Sequence, residues 1–114
     1  MAMRLIFFGS GEFGLPTLQA LHKAHDVALV VTQPDRPAGR KRRMQATPIG
    51  HWAAEKALPI LKPKKVNEPD TVEQIRNIRA EAHIVVAFGQ KIGQQIIEAP
   101  THGPVATMNL HASL

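Results

Sequence analysis

With 114 residues, 44% of them apolar, the chain is expected to form one globular domain that buries roughly 65% of its unfolded surface. There is no run of 18 apolar residues and no cysteine, which excludes a transmembrane helix, disulfides and thiolate chemistry and fits a reducing cytoplasm. The net charge of +5 is local: Arg36, Arg40, Lys41, Arg42 and Arg43 contribute it, while the remaining nine cations match the nine acids.

The first segment, "RLIFFG" (4–9), is a continuous apolar run, as in a strand covered on both faces. It turns glycine-rich at once, which argues against a signal peptide. A helix is expected over "SGEFGLPTLQALHKA", with Leu15, Leu18, Leu21 and Ala24 on one face and Pro16 in the first turn. "DVALVVT" (26–32) is a second strand, followed by a loop from Gln33 to about Thr47 that holds the five cations. Residues 47–57 form a second helix, with Thr47 as N-cap and Pro48 in first position. "LPIL" is a short third strand. In the helix over 68–80, acids lie near the start and arginines near the end, as the helix dipole favours. A fourth strand (82–89), a short helix (90–99) and a fifth strand (103–111) complete the series.

This alternation predicts an α/β fold, a doubly wound Rossmann-like parallel sheet of about five strands. Ligands bind such sheets at the carboxyl ends of the strands. That rule singles out Gly9–Gly14, the cationic loop, Phe88–Gln90 and Asn109–Ser113, which should share one edge.

Each of these places has more than one reading. "GSGEFG" satisfies G-x-G-x-x-G at Gly9, Gly11 and Gly14, as in a dinucleotide site. The second strand, however, does not end in the acid that would hold a ribose, so an NADP-binding redox module would have to use Arg36 or Arg40. A tight turn accounts for Gly9 and Gly14 without any ligand. The cations from Arg36 to Arg43 suit an RNA or phosphate partner held through its backbone, since no Phe or Tyr lies nearby to stack on bases. A solvated charged face is the plainer alternative. Asn109 and His111 alternate at the end of what reads as a buried strand, where residues i and i+2 face the same way and Ser113 continues the series. They read either as a satisfied core histidine with its neighbours or as a catalytic set. In the second case Asn donates to a developing oxyanion and His donates or moves a proton. Without cysteine, direct attack by a substrate amine on a carbonyl suits the site better than a covalent intermediate. No histidine pair has metal-ligand spacing with a third ligand, so no metal is expected.

Taken together, "FFGSGEFGLPTLQAL", "VVTQPDRPAGRKRRMQATPI", "AAEKALPIL", "IVVAFGQKI" and "MNLHASL" resemble the methionyl-tRNA formyltransferases, from about Arg4 to Leu114. "TQPDRPAGR" is the most specific piece. Formyltransferases acting on glycinamide ribonucleotide or amino sugars share the Asn-x-His-x-Ser strand but generally not this loop. The resemblance implies formyl transfer from 10-formyltetrahydrofolate, a co-substrate, to the amino group of initiator methionyl-tRNA in translation initiation. It implies that Asn109 and His111 are catalytic, and that Phe88, Gly89, Gln90, Ser113 and Leu114 border the folate. It also implies that Arg36, Arg40, Lys41, Arg42 and Arg43 engage tRNA and that Phe13 lies near the aminoacyl end. On the same resemblance, residues 1–114 are the N-terminal part of the catalytic domain. The family's third catalytic residue, an Asp, and its C-terminal tRNA-binding domain are expected beyond them, so these residues alone are expected to be inactive. A non-catalytic RNA-binding role for the cationic loop is the remaining alternative.

Overall fold

The computed structural model describes residues 2–110. Five parallel strands form one sheet in the order β5-β2-β1-β6-β7: β1 (Arg4–Gly9), β2 (Asp26–Val31), β5 (Ile60–Leu61), β6 (Ala82–Val86) and β7 (Thr107–Leu110). The central strand shows why its sequence is apolar throughout. Leu5 and Phe7 point to one face of the sheet, Ile6 and Phe8 to the other, and all four are buried. Full burial of one such side chain is worth about 1.5–3 kcal/mol.

Helices cover both faces, as expected for a doubly wound sheet. Helix α1 (Leu15–Ala24) and α2 (Pro48–Glu55) pack Leu18, Ile49 and Ala53 against the Phe7 face. On the Phe8 face, α3 (Pro69–Ile78) and α4 (Gln94–Ile97) supply Val72, Ile75 and Ile96. Thr47 caps α2 as its position suggests, its hydroxyl accepting from the Gly50 N–H at 2.9 Å. In α3, Asp70 lies in the first turn, Arg76 in the last, and Arg79 closes the helix in the left-handed conformation.

Three regions depart from the sequence-based expectation. The cationic segment is not simply a loop. β3 (Arg36–Ala38) and β4 (Arg43–Gln45) form an antiparallel hairpin, with Gly39 at φ +77 and Arg42 at φ +52 in the turn. Such strands are invisible to periodicity: each has three residues, and nothing apolar alternates along them. The fourth strand ends at Val86, because Ala87 (φ +49) and Gly89 (φ +95) take left-handed backbone conformations that end the pairing. The fifth begins only at Thr107, since Gly103 (φ +81) leads into a 3₁₀ turn over Pro104–Ala106. Nor is it buried. β7 is the outermost strand among the described residues, and Met108, Asn109 and Leu110 are all exposed.

Gly9 occupies the tightest place in the sheet. A Cβ there would lie 2.6 Å from the Phe7 ring and 2.8 Å from the Val86 carbonyl oxygen. Gly9→Ala is therefore expected to destabilise the fold by about 1–3 kcal/mol in urea unfolding, through overpacking against backbone and a buried ring. Gly11 has open space around its Cα, so Gly11→Ala is expected to be nearly neutral in the same measurement.

Candidate functional site

Because all five strands of the main sheet run parallel, the carboxyl ends of β1, β2, β6 and β7 lie along one edge. Two cavities involve this edge. One, of about 380 Å³, is lined by residues that include Ser10, Gly11, Gln33, Arg36, Thr47 and Phe88. It joins the β1 loop, the base of the cationic hairpin and the β6 loop. The other, of about 270 Å³, lies between the β6 loop and β7, with Gln90, Lys91, Ile92, Ile97, Thr107 and Asn109 among its walls. The structure thus brings Asn109 to the β6 loop, as the topology requires. His111, Ser113 and Leu114 lie outside the described residues.

The β6 loop is built with little freedom. The Phe88 ring is buried in the core, edge-on to Phe8, so the residue faces the cavity through its backbone. At Gly89 a side chain would strike the Gln33 amide at 2.7 Å, and the backbone is left-handed, so two independent constraints select glycine. The Gln90 side chain is fully engaged by protein groups. Its Nε2 donates to Gln33 Oε1 (2.8 Å) and the Pro63 carbonyl (2.9 Å), and its Oε1 accepts from the Val66 N–H (2.7 Å). Asn67 holds the next turn, donating to the Lys91 carbonyl and accepting from the Gly93 N–H, both at 2.8 Å.

The hairpin presents a different chemistry. Arg36, Arg40, Lys41, Arg42 and Arg43 are all exposed, and among the described residues none of them forms an ion pair. Asp35, just before them, is paired with Lys62 at 2.6 Å and so does not neutralise the cluster. Phe13 lies in the 3₁₀ turn Glu12–Gly14 before α1, 52% exposed, an unusual position for a large ring.

The glycine motif has a packing explanation. Gly9 and Gly14 both abut Phe7 and Val86, and α1 proper begins only at Leu15. Close packing, rather than the tight turn expected from the sequence, selects these two glycines, and no dinucleotide is needed to explain them. Among the histidines, His25 accepts from the Met3 N–H (2.9 Å), His22 sits edge-on to Trp52, and His51 pairs with Glu55 (3.4 Å). No group of three His, Cys, Asp or Glu suited to a metal occurs among the described residues. His83 is the exception to surface roles. It is fully buried against Phe8, and neither ring nitrogen has a hydrogen-bond partner.

Sequence reasoning missed Lys91, Ile92 and Ile97 as parts of this edge, gave Ser10 and Gln33 no role of their own although both fall in stretches it placed there, and read Thr47 as a cap. Their common signal is position: each follows a strand's carboxyl end or borders the loop that does.

The fold and this edge define a class, and the chain belongs to it: a family model described as formyl transferase matches residues 3–114. Within that family it is similar to methionyl-tRNA formyltransferase of Geobacter sulfurreducens, with 42% identity over 98% of this chain and 35% of the relative. The enzymes of the same name from Agathobacter rectalis (43%; 98% and 36%) and Magnetococcus marinus (40%; 99% and 36%) are similarly close. The chain spans about a third of the length of these curated relatives. Among solved structures, glycinamide ribonucleotide transformylase 1 from Geobacillus kaustophilus shares the fold. Its TM-score is 0.68 at 19% identity, over 100% of this chain and 60% of that one.

Proposed function

We propose that this chain is the N-terminal part of a cytoplasmic methionyl-tRNA formyltransferase, and that the whole enzyme transfers a formyl group from 10-formyltetrahydrofolate to the amino group of initiator methionyl-tRNA. One observation carries the choice of acceptor: an exposed hairpin with five cations stands beside the cavity edge on which Asn109 lies. A small acceptor such as glycinamide ribonucleotide needs no such surface, whereas a nucleic acid is held by unpaired cations.

In this reading the methionyl amine attacks the formyl carbon of the donor. Negative charge then develops on the formyl oxygen, and the Asn109 amide stabilises it by donating a hydrogen bond. His111, two residues on, shares that task or moves the proton released from the amine toward N10 of the donor, whose bond to the formyl carbon breaks as tetrahydrofolate leaves. The β6 loop borders the donor through its backbone and through Lys91 and Ile92, with Ile97 of α4 beside them, while the Gln90 amide serves the loop itself. Phe13 is offered to the aminoacyl end. No metal has a part in this mechanism.

The reading is tested in a full-length polypeptide that continues this chain with the remaining sequence of the Geobacter sulfurreducens relative. Asn109→Ala is expected to lower kcat about 10²–10³-fold, with KM for the donor changed far less, because the lost bond matters mainly in the transition state. An unchanged kcat in the folded variant would remove Asn109 from the mechanism.

A further inference from the structure

The two halves of the proposed site are joined by side chains that the mechanism above does not use. The Phe88 carbonyl can only accept, so Ser10 must donate its single hydroxyl proton to it, at 2.7 Å. Ser10 Oγ then accepts from the Gln33 N–H at 3.1 Å and from Thr32 at 3.5 Å. Thr32 and Thr47 share a hydroxyl–hydroxyl bond at 2.5 Å in which either can donate, and Thr47 accepts from the Gly50 N–H at 2.9 Å. Thr32 and Thr47 flank the hairpin segment, so their contact closes its base. Their hydroxyls and that of Ser10 form one connected network from the start of α2 to the β6 loop. Gln33 adds a parallel link, because its Oε1 accepts from Gln90 Nε2 at 2.8 Å. Thr32 is completely buried, so this part of the network is shielded from competing water.

We infer that Ser10 and Gln33, supported by Thr32 and Thr47, are positioning residues that hold the cationic hairpin and the β6 loop in fixed relation. The hairpin has few other anchors: its tip projects into solvent, and the Asp35–Lys62 pair is half-exposed. The β6 loop, by contrast, is also tied to residues 63–67 through Gln90 and Asn67. Without the Ser10–Gln33 clamp, the two loops would move independently. Resting on the function proposed above, the consequence is that RNA on the hairpin and donor at the β6 loop sense each other.

The test uses the chain itself. Ser10→Ala combined with Gln33→Ala removes both links and leaves each loop's own bonds intact. In ¹⁵N relaxation dispersion without ligands, the double variant is expected to show new microsecond-to-millisecond exchange at Phe88–Gln90 and at residues 36–45 together. Ser10→Thr with Gln33→Glu, which keeps a hydroxyl and an acceptor, is expected to restore the quiet state. New motion in only one loop, or in neither, overturns the inference, as does failure of the conservative pair to restore it. A second reading uses ligands: in the full-length polypeptide described above, an acceptor-stem RNA is expected to change the affinity for 10-formyltetrahydrofolate roughly fivefold, and not when the polypeptide carries the double substitution. If neither ligand binds that full-length polypeptide, the proposed function is what fails, and the ligand-free relaxation result decides the clamp.

Discussion

Replacing Arg40 and Arg42 with glutamate is expected to weaken binding of an acceptor-stem RNA by roughly 30- to 100-fold near 100 mM salt. Each cation that neutralises a phosphate releases condensed counterions, so the parent chain should bind with a strong inverse dependence on salt. Losing two such contacts should flatten the slope of log K against log salt by about 1.5–2. Both residues are at the tip of the hairpin, exposed and without an ion-pair partner among the described residues, so their charge is free to act on a ligand. Fluorescence anisotropy between about 50 and 200 mM salt provides the measurement. Unchanged affinity and slope would reduce the hairpin to a solvated charged surface. Arg42 already holds a positive φ, so the substitution changes its charge without asking for a new backbone conformation.

The second large effect lies in the core. His83 belongs to β6, between Ile6 and Thr107 in the sheet register, with the Phe8 ring 5.2 Å away. Burial lowers its pKa from 6.5 to about 4, opposed by the nearby Ile96 backbone. The linkage follows from those two values. Above pH 6.5 the ring is neutral in folded and unfolded chains alike. As the pH falls from 6.5 toward 4, the unfolded chain takes up a proton that the folded one refuses, so stability declines; below 4 both are protonated and the loss levels off. The cost is about 2–3 kcal/mol by pH 4.5. His83→Leu, of similar volume and with no nitrogen to desolvate, is expected to abolish this decline and to raise stability at neutral pH by about 1–2 kcal/mol. Urea unfolding at pH 7 and pH 4.5 measures both. An equal acid sensitivity in the parent and the variant would mean that other groups carry it.

The sheet was legible because burial on both faces forces an unbroken apolar run, and "RLIFFG", "DVALVV" and "AHIVV" have no other economical explanation. Chain order and right-handed crossovers then place the strand ends along one edge, which is why four separated motifs were expected there. What could not be read was set by contacts distant in sequence. Ser10 meets Phe88 across 78 residues, and Gln33 meets Gln90 across 57. A serine or glutamine after a strand carries no pattern that predicts such a partner. The cationic hairpin was hidden for the opposite reason. Its pairing is purely backbone, and its prolines, glycine and arginines all signal a loop. For β7 the residue alternation was visible, but not that the strand is outermost among the described residues, since strand order is a tertiary property. Phe88 is expected to border the donor, and it lines the cavity through its backbone while its ring packs in the core, a division between side chain and backbone that no single-residue reading reveals.

The central claim is that the edge carrying Asn109 and the cationic hairpin serves formyl transfer to a nucleic acid. The most direct measurement is acceptor choice by the full-length polypeptide that joins this chain to the rest of the Geobacter sulfurreducens relative. With labelled 10-formyltetrahydrofolate, label should pass to initiator methionyl-tRNA and not to glycinamide ribonucleotide. Transfer to glycinamide ribonucleotide, with methionyl-tRNA left unlabelled, would contradict the account.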